Sequence, residues 1–408
     1  MEQRKTWQQP WQYAESIAVV IGLAIVGFAL QLFSGKFNFL LISSPVNLII
    51  GGIIVLISIL AGIKRKTAFC QWFTGVPLAV SLLGGLLVLS IFMGLTPQME
   101  NIDPHHRNLA VLLGFRQMTS SWAFVILYTV TLLSLGGLIV RRLINFKVKD
   151  YVFYLMHTGL WVLLFAAGLG AADLRRYVMF VNEGETEWRV FNQNEKPLEL
   201  PLAIQLNDFQ MEEYPPKLTV IDRLTGEAQP KEKPQYVQID EKVMSGKLLD
   251  YDIVIDKYIQ NAVRNSDSSY TEVSMPGATP AALVRVRNLK DNTEKNGWIC
   301  GGSVAQLYMM LPLTEKLAMV MTQAEPKRFV SDINVYTEDE KSVSALLEVN
   351  KPLKIGSWMI YQYGYDTNLG KASPYSSFEL VYDPWKGLVY IGILLFAVGS
   401  LFLIIKKN

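Results

Sequence analysis

Residues 151–172, YVFYLMHTGLWVLLFAAGLGAA, form a run of twenty-two with one ionisable side chain, His157. An α-helix rises about 1.5 Å per residue, so the run covers a hydrocarbon core roughly 30 Å thick. In lipid, backbone polar groups must pair inside their own segment, so this stretch reads as a membrane helix. The imidazole falls about two turns in, too deep for a headgroup contact. Intramembrane ionisable groups are costly and are functional-site candidates by default. The plain alternative is a neutral histidine bonded to a neighbouring helix.

Five further apolar runs flank this one, at about 17–33, 45–63, 75–95, 121–140 and 387–405. Half of the chain is hydrophobic and only 18% is charged, which fits a membrane protein with a sizeable soluble part. Basic residues cluster near the N-terminus (Arg4, Lys5), at 64–66, at 141–149 and at 406–407. Six alternating spans put all four clusters on one side, which the positive-inside rule makes cytoplasmic. Both termini are then cytoplasmic, the loops at 34–44 and 96–120 are external, and His157 sits in the inner leaflet. The expected organisation is an N-terminal hairpin (1–66), a three-helix core (67–173), an external domain (174–385) and a C-terminal helix (386–408). No cleavable signal pattern precedes the first span, because its apolar run is too long and lacks a small-residue cleavage site.

The external domain alternates polar and apolar residues in short runs, as in Ala282-Leu283-Val284-Arg285-Val286-Arg287 and Ile333-Asn334-Val335-Tyr336. Turn signals such as Pro215-Pro216, Pro276-Gly277 and Asn296-Gly297 punctuate it. That pattern predicts antiparallel strands in a sandwich-like, mostly-β fold. A short helix is expected at 304–311, before Pro312, and a long Ser/Asn/Pro-rich loop at 261–280. The fold class is therefore six transmembrane helices with a β domain between the fifth and sixth.

The chain has no GxSxG, HExxH or phosphate-loop pattern. A net charge of +2 implies no nucleic acid. Cys70 and Cys300, the only cysteines, fall on opposite sides and read as small buried hydrophobes. There are three histidines. His105 and His106 are adjacent, share no helix face, and read as an exposed loop pair or a ligand or proton group. Arg175 and Arg176 follow the His157 helix. They read either as snorkelling to outer headgroups or as partners of an anionic group.

Several local patterns resemble the ResB (CcsB) family of system II cytochrome c biogenesis. Residues 90–98, SIFMGLTPQ, look like the end of a family helix with its Gly-x-x-Pro-Gln-like turn. Residues 113–142 resemble the next helix, left through Arg-Arg, and His157-Thr158-Gly159-Leu160 is similar to the family's His-x-Gly helix. Leu206-Asn207-Asp208-Phe209 and Tyr214-Pro215 echo the start of its β domain. Residues 358–399, with Tyr361-Gln362, Asp383-Pro384 and Gly392, resemble its exit. The likeness covers about 75–408. Two features depart from it: an extra hairpin at 17–63, and Trp385 where glycine is more usual.

The resemblance implies a bacterial inner-membrane subunit that assists export of haem b and its presentation to CxxCH motifs of apocytochrome c. It implies a CcsA/ResC-type partner carrying a WWD segment, which this chain lacks. It makes His157 an axial haem ligand at an inner-leaflet site, sharing the iron with a partner histidine; that role carries over to His157 alone, and with haem as the cargo the anionic group that Arg175 and Arg176 could meet is a haem propionate. Thioether formation would belong to the assembled complex, so whether this chain is an enzyme stays open. The alternative is a scaffold whose β domain binds apocytochrome c or a redox chaperone without ligating haem.

Overall fold

The computed structural model describes residues 7–99, 108–191, 196–265, 268–273, 275, 277–303 and 305–406. It divides into two compact units, Met1–Arg175 with Tyr382–Asn408, and Arg176–Val381.

The first unit is helical: α1 (Tyr13–Ser34), α2 (Val46–Ile63), the short α3 (Ala68–Phe73), α4 (Val76–Leu95), the short α5 (Leu109–Leu112), α6 (Trp122–Leu143), α7 (Tyr151–Gly170) and α8 (Lys386–Lys406). Six of them, α1, α2, α4, α6, α7 and α8, are long and apolar enough to cross a membrane. Their outward faces stay apolar, with Ile25, Leu83 and Leu394 all more than half exposed. A face of that kind suits acyl chains and not water. The chain is a multi-pass membrane protein.

Polar side chains set the helix ends. At the start of α1, the Gln12 N–H donates to Glu15 Oε2 at 2.9 Å, which satisfies one of the orphan donors there. Ser121 Oγ accepts from the Phe124 N–H and caps α6. The turn after α4 is held by Gln98. Its Nε2 donates to the carbonyls of Met93 (3.1 Å) and Phe115 (2.9 Å), while its Oε1 accepts from the Met118 N–H. The stretch after this turn is not plain loop. Residues 109–112 are α-helical and Phe115–Ser120 form a 3-10 turn.

Helices α7 and α8 meet backbone to backbone. A Cβ on Gly159 would come within 2.4 Å of the Phe396 nitrogen, and one on Gly392 within 2.6 Å of the Leu163 nitrogen. A Cβ on Gly399 would meet Met156 at 2.8 Å. Small residues at a crossing let two helices in lipid approach closely enough for dispersion contacts to hold them.

The second unit is mostly β, as the alternation predicts, with two main cores and a smaller buried cluster around Ile259, Tyr270 and Cys300. In one, the sheet ordered Arg175–Asn182, Tyr375–Tyr382, Trp358–Tyr365, Leu353–Ile355 faces the sheet ordered Ser342–Glu348, Pro326–Thr337, Pro197–Glu213, Thr186–Phe191. They close over Met179, Ile204, Leu206, Ile333, Ile360 and Phe378. The other core joins the sheets built on Tyr251–Arg264 and Lys217–Asp222 over Leu218, Val220, Ile253, Val284 and Met319. The Leu206-Asn207-Asp208-Phe209 stretch carries a bulge: Asp208 pairs Asp332 and Leu206 pairs Ile333, so Asn207 is the extra residue. Gln362 belongs to a polar cluster inside the first sandwich. The Ser331 hydroxyl donates to Gln362 Oε1 at 2.7 Å, and Gln362 Nε2 donates to Ser376 Oγ at 2.7 Å.

Two local expectations are corrected. Residues 305–311 hold no helix. Gly302 turns the chain at φ +77°, and Cys300 and Met309 then exchange two backbone hydrogen bonds of 3.0 Å. Tertiary pairing overrides the local helical preference. Nor is 261–280 one long loop. The strand Tyr251–Arg264 runs into it, and Tyr270–Glu272 pairs back onto that strand, anchored by the buried Tyr270.

The helix crossing gives a direct test. Gly159→Leu is expected to cost about 1–3 kcal/mol through overpacking, read as a lower thermal midpoint in detergent. Gly84→Leu, where an added Cβ meets nothing within 4 Å, leaves the midpoint unchanged. Equal midpoints for the two variants would contradict the crossing.

Candidate functional site

His157 lies near the basic end of α7. Its Nδ1 is 3.0 Å from the Phe153 carbonyl oxygen, one turn back. With the proton on Nδ1 the ring donates there, and Nε2 keeps its lone pair. Among the described residues Nε2 has no hydrogen-bond partner. The imidazole stacks on the Phe153 ring, centroids 3.9 Å apart at 26°. The Arg142 guanidinium sits over the same phenyl ring at 5.2 Å.

Spacing of four residues puts Phe153, His157, Trp161 and Phe165 on one stripe of α7. Trp161 Nε1 donates to the Leu132 carbonyl of α6 at 3.0 Å and its ring stacks on Phe165 at 4.7 Å. The stripe therefore lies beside α6, and His157 is half-buried on it.

An imidazole with Nδ1 engaged by a carbonyl and Nε2 open is oriented for metal ligation through Nε2. That arrangement fits haem iron, which takes an imidazole as an axial ligand. The chain supplies one such ring. Among the described residues no group of three or more His, Cys, Asp and Glu is placed to hold a metal ion. His105 and His106 lie outside the described residues.

The glycines of α7 are filled by the same chain. Gly159 is covered by α8, Gly168 by the Tyr128 ring of α6, and Gly170 by Trp385. They serve helix packing. An apolar groove of about 640 Å³ runs between α2, α6 and α7, walled by Ile50, Ile54, Phe124, Leu132 and Gly168, and His157 is not part of it.

At the opposite end of α7 stands a network that sequence reading missed. Asp173 is 8% exposed. Its carboxylate accepts from the Ser44 N–H at 2.8 Å, Asn47 Nδ2 at 2.6 Å and Trp385 Nε1 at 2.7 Å. Three elements, α2, the end of α7 and the start of α8, are thus tied to one carboxylate. Burial pushes the Asp173 pKa up. The three donors and the Arg175 charge outweigh it, so the carboxyl stays below its ordinary value. The only sequence signals were a carboxylate directly after an apolar span and an asparagine inside another.

The two arginines each have partners within the chain. Arg175 Nη1 donates to the carbonyls of Ala172 (2.7 Å) and Leu174 (3.0 Å), capping the end of α7. Gly170, where α7 ends, lies roughly 20 Å along the axis from His157, so a group held at His157 is remote from Arg175. Arg176, in the β unit, pairs with Glu379 at 3.7 Å. Cys70 and Cys300 are both buried, and burial pushes the Cys300 thiol pKa up, away from reactivity.

Asp173→Asn removes the charge from three donors and is expected to cost about 1–3 kcal/mol of stability at neutral pH. Because the folded-state pKa is lowered, the stabilisation is complete above the ordinary carboxyl value, about 4, and is lost as pH falls through the depressed one. Thermal midpoints of wild type and variant should differ by a constant amount above that pH and converge below it. A gap that closes on raising the pH instead would contradict the network.

No curated protein matches the chain. The model of the ResB-like family matches residues 314–374. These span the strands Leu317–Met321 to Trp358–Tyr365, so they run from one core of the β unit into the other. That match covers a minor part of the chain and is consistent with the resemblance to the ResB/CcsB family carried by residues 90–98, 113–142, 157–160 and 358–399.

Proposed function

We propose that this chain is a haem-presenting subunit of a system II cytochrome c synthase. In this reading it works in the bacterial cytoplasmic membrane with a CcsA/ResC-type partner that bears the WWD segment, and serves CxxCH apocytochrome c. The basic helix ends face the cytoplasm and the β domain faces outward, following the positive-inside bias of 64–66 and 141–149.

One observation carries the reading. A membrane helix holds a single imidazole whose Nδ1 is bonded within the helix and whose Nε2 is open. Haem is the cargo, and its iron takes nitrogen ligands. His157 Nε2 would be one axial ligand. The Phe153 carbonyl sets the tautomer, and the Phe153 ring backs the imidazole and limits its rotation. Because the ring is half-buried and has no second ligand beside it among the described residues, a neighbouring chain is needed to complete the site.

The test is co-expression with a partner of that class, followed by purification of the pair and a haem spectrum. His157→Gly is expected to lose at least tenfold in bound haem and in c-type cytochrome yield, and added imidazole is expected to restore part of both. If the variant binds haem as wild type does while cytochrome yield falls, the reading gives way to a scaffold whose β domain docks apocytochrome.

A further inference from the structure

The basic end of the helical unit contains a cavity that the haem reading does not use. An open cleft of about 460 Å³ is lined by Arg65 and Lys66 beyond α2, Arg141 and Arg142 ending α6, and Lys147 before α7. Asp150 is the one carboxylate on its wall. Among the described residues none of the five cations is ion-paired.

The two arginines are held by neutral anchors. Arg141 Nη1 donates to Thr74 Oγ1 at 3.1 Å, and Arg142 rests over the Phe153 ring. Neither anchor neutralises charge, so both guanidiniums keep donors for an anion. Basic residues in the last turn of a helix are favoured by its dipole. That accounts for Arg141 and Arg142, but not for Arg65, Lys66 and Lys147 converging on the same space.

A second cavity of about 440 Å³ shares Gln71, Arg141 and Arg142 with the first. Its other walls include Trp11, Trp72, Pro77 and Leu138. The two indoles meet edge to face at 4.7 Å. Their N–H groups are already used, Trp72 toward Ser16 Oγ and Trp11 toward the Trp7 carbonyl. They therefore offer apolar surface. A cationic cleft opens beside one of mixed lining whose apolar wall is Trp11, Trp72, Pro77 and Leu138, and the shared arginines stand at the boundary.

We infer that these paired cavities bind one anionic glycerophospholipid, its phosphate among Arg65, Arg141, Arg142 and Lys147 and its glycerol and first acyl carbons against Trp11, Trp72 and Leu138. A phosphate diester matches the charge, and its oxygens accept charge-assisted hydrogen bonds from guanidinium or ammonium donors. The apolar wall of the second cleft, Trp11, Trp72 and Leu138, matches the adjoining chain. Basic pockets between membrane helices are suited to such headgroups. A zwitterionic lipid brings its own ammonium into a site that is already cationic and is disfavoured.

The purified full chain is delipidated and titrated with phosphatidylglycerol, phosphatidylcholine or inorganic phosphate, with bound lipid read by native mass spectrometry and stability by thermal midpoint. Phosphatidylglycerol should bind one per chain and raise the midpoint, while phosphatidylcholine and inorganic phosphate should do neither. Arg65→Gln with Arg141→Gln should weaken phosphatidylglycerol about thirtyfold, at roughly fivefold per cation. Arg65→Lys with Arg141→Lys, which keeps the charge, should recover most of the affinity and shows that loss in the first pair is not misfolding. Equal binding of phosphatidylcholine, an equal shift from inorganic phosphate alone, or unchanged affinity in the glutamine pair would each overturn the assignment.

Discussion

The hydrogen bond between His157 Nδ1 and the Phe153 carbonyl decides what this helix can do. In lipid a ring N–H left unpaired costs free energy, and no water is at hand to satisfy it. Bonding it one turn back resolves that cost inside α7 and leaves the opposite nitrogen open. The same bond sets the ring against Phe153, so the imidazole is oriented before any ligand arrives. Phe153 in turn lies under Arg142, which ties the ring's setting to the basic end of α6.

An oriented ring is useful only if its helix cannot rotate. Two constraints fix α7. Along its length, Gly159 presses on the backbone of α8, and Gly392 and Gly399 press back on α7. At its far end Asp173 is held by Ser44 and Asn47, which belong to the N-terminal hairpin, and by Trp385 at the start of α8. The two departures from the family pattern, the added hairpin and the tryptophan after Asp383-Pro384, thus meet on a single carboxylate. The indole supplies a donor that a glycine there would lack, and the hairpin supplies the other two.

Much of the architecture was legible in the sequence because lipid leaves few choices. An uninterrupted apolar run of about twenty residues has one solution, so all six spans emerge close to where the residues place them. Alternation at Ile333–Tyr336 and Ala282–Arg287 identified strands for the same kind of reason, a period of two with one face buried. Pairing over long separations was not legible. The division of the β unit into two main cores depends on which strands neighbour each other, and residues 305–311 became a bridge because Met309 meets Cys300. The Asp173 network joins residues 126 and 212 positions apart, and no local pattern announces it. His157 stood out because an imidazole is rare in lipid, while its bond to Phe153, four residues back, needed the ring's rotamer.

The central claim is that His157 Nε2 binds haem iron. The most direct measurement is electron–nuclear double resonance on the ferric haem of the purified complex, with isotope-labelled histidine incorporated into this chain alone. A labelled-nitrogen coupling of directly ligated strength, present in wild type and in a variant with His105 and His106 replaced but absent in His157→Gly, is the predicted result. A haem that carries only unlabelled nitrogen ligands in the wild-type complex would contradict the account.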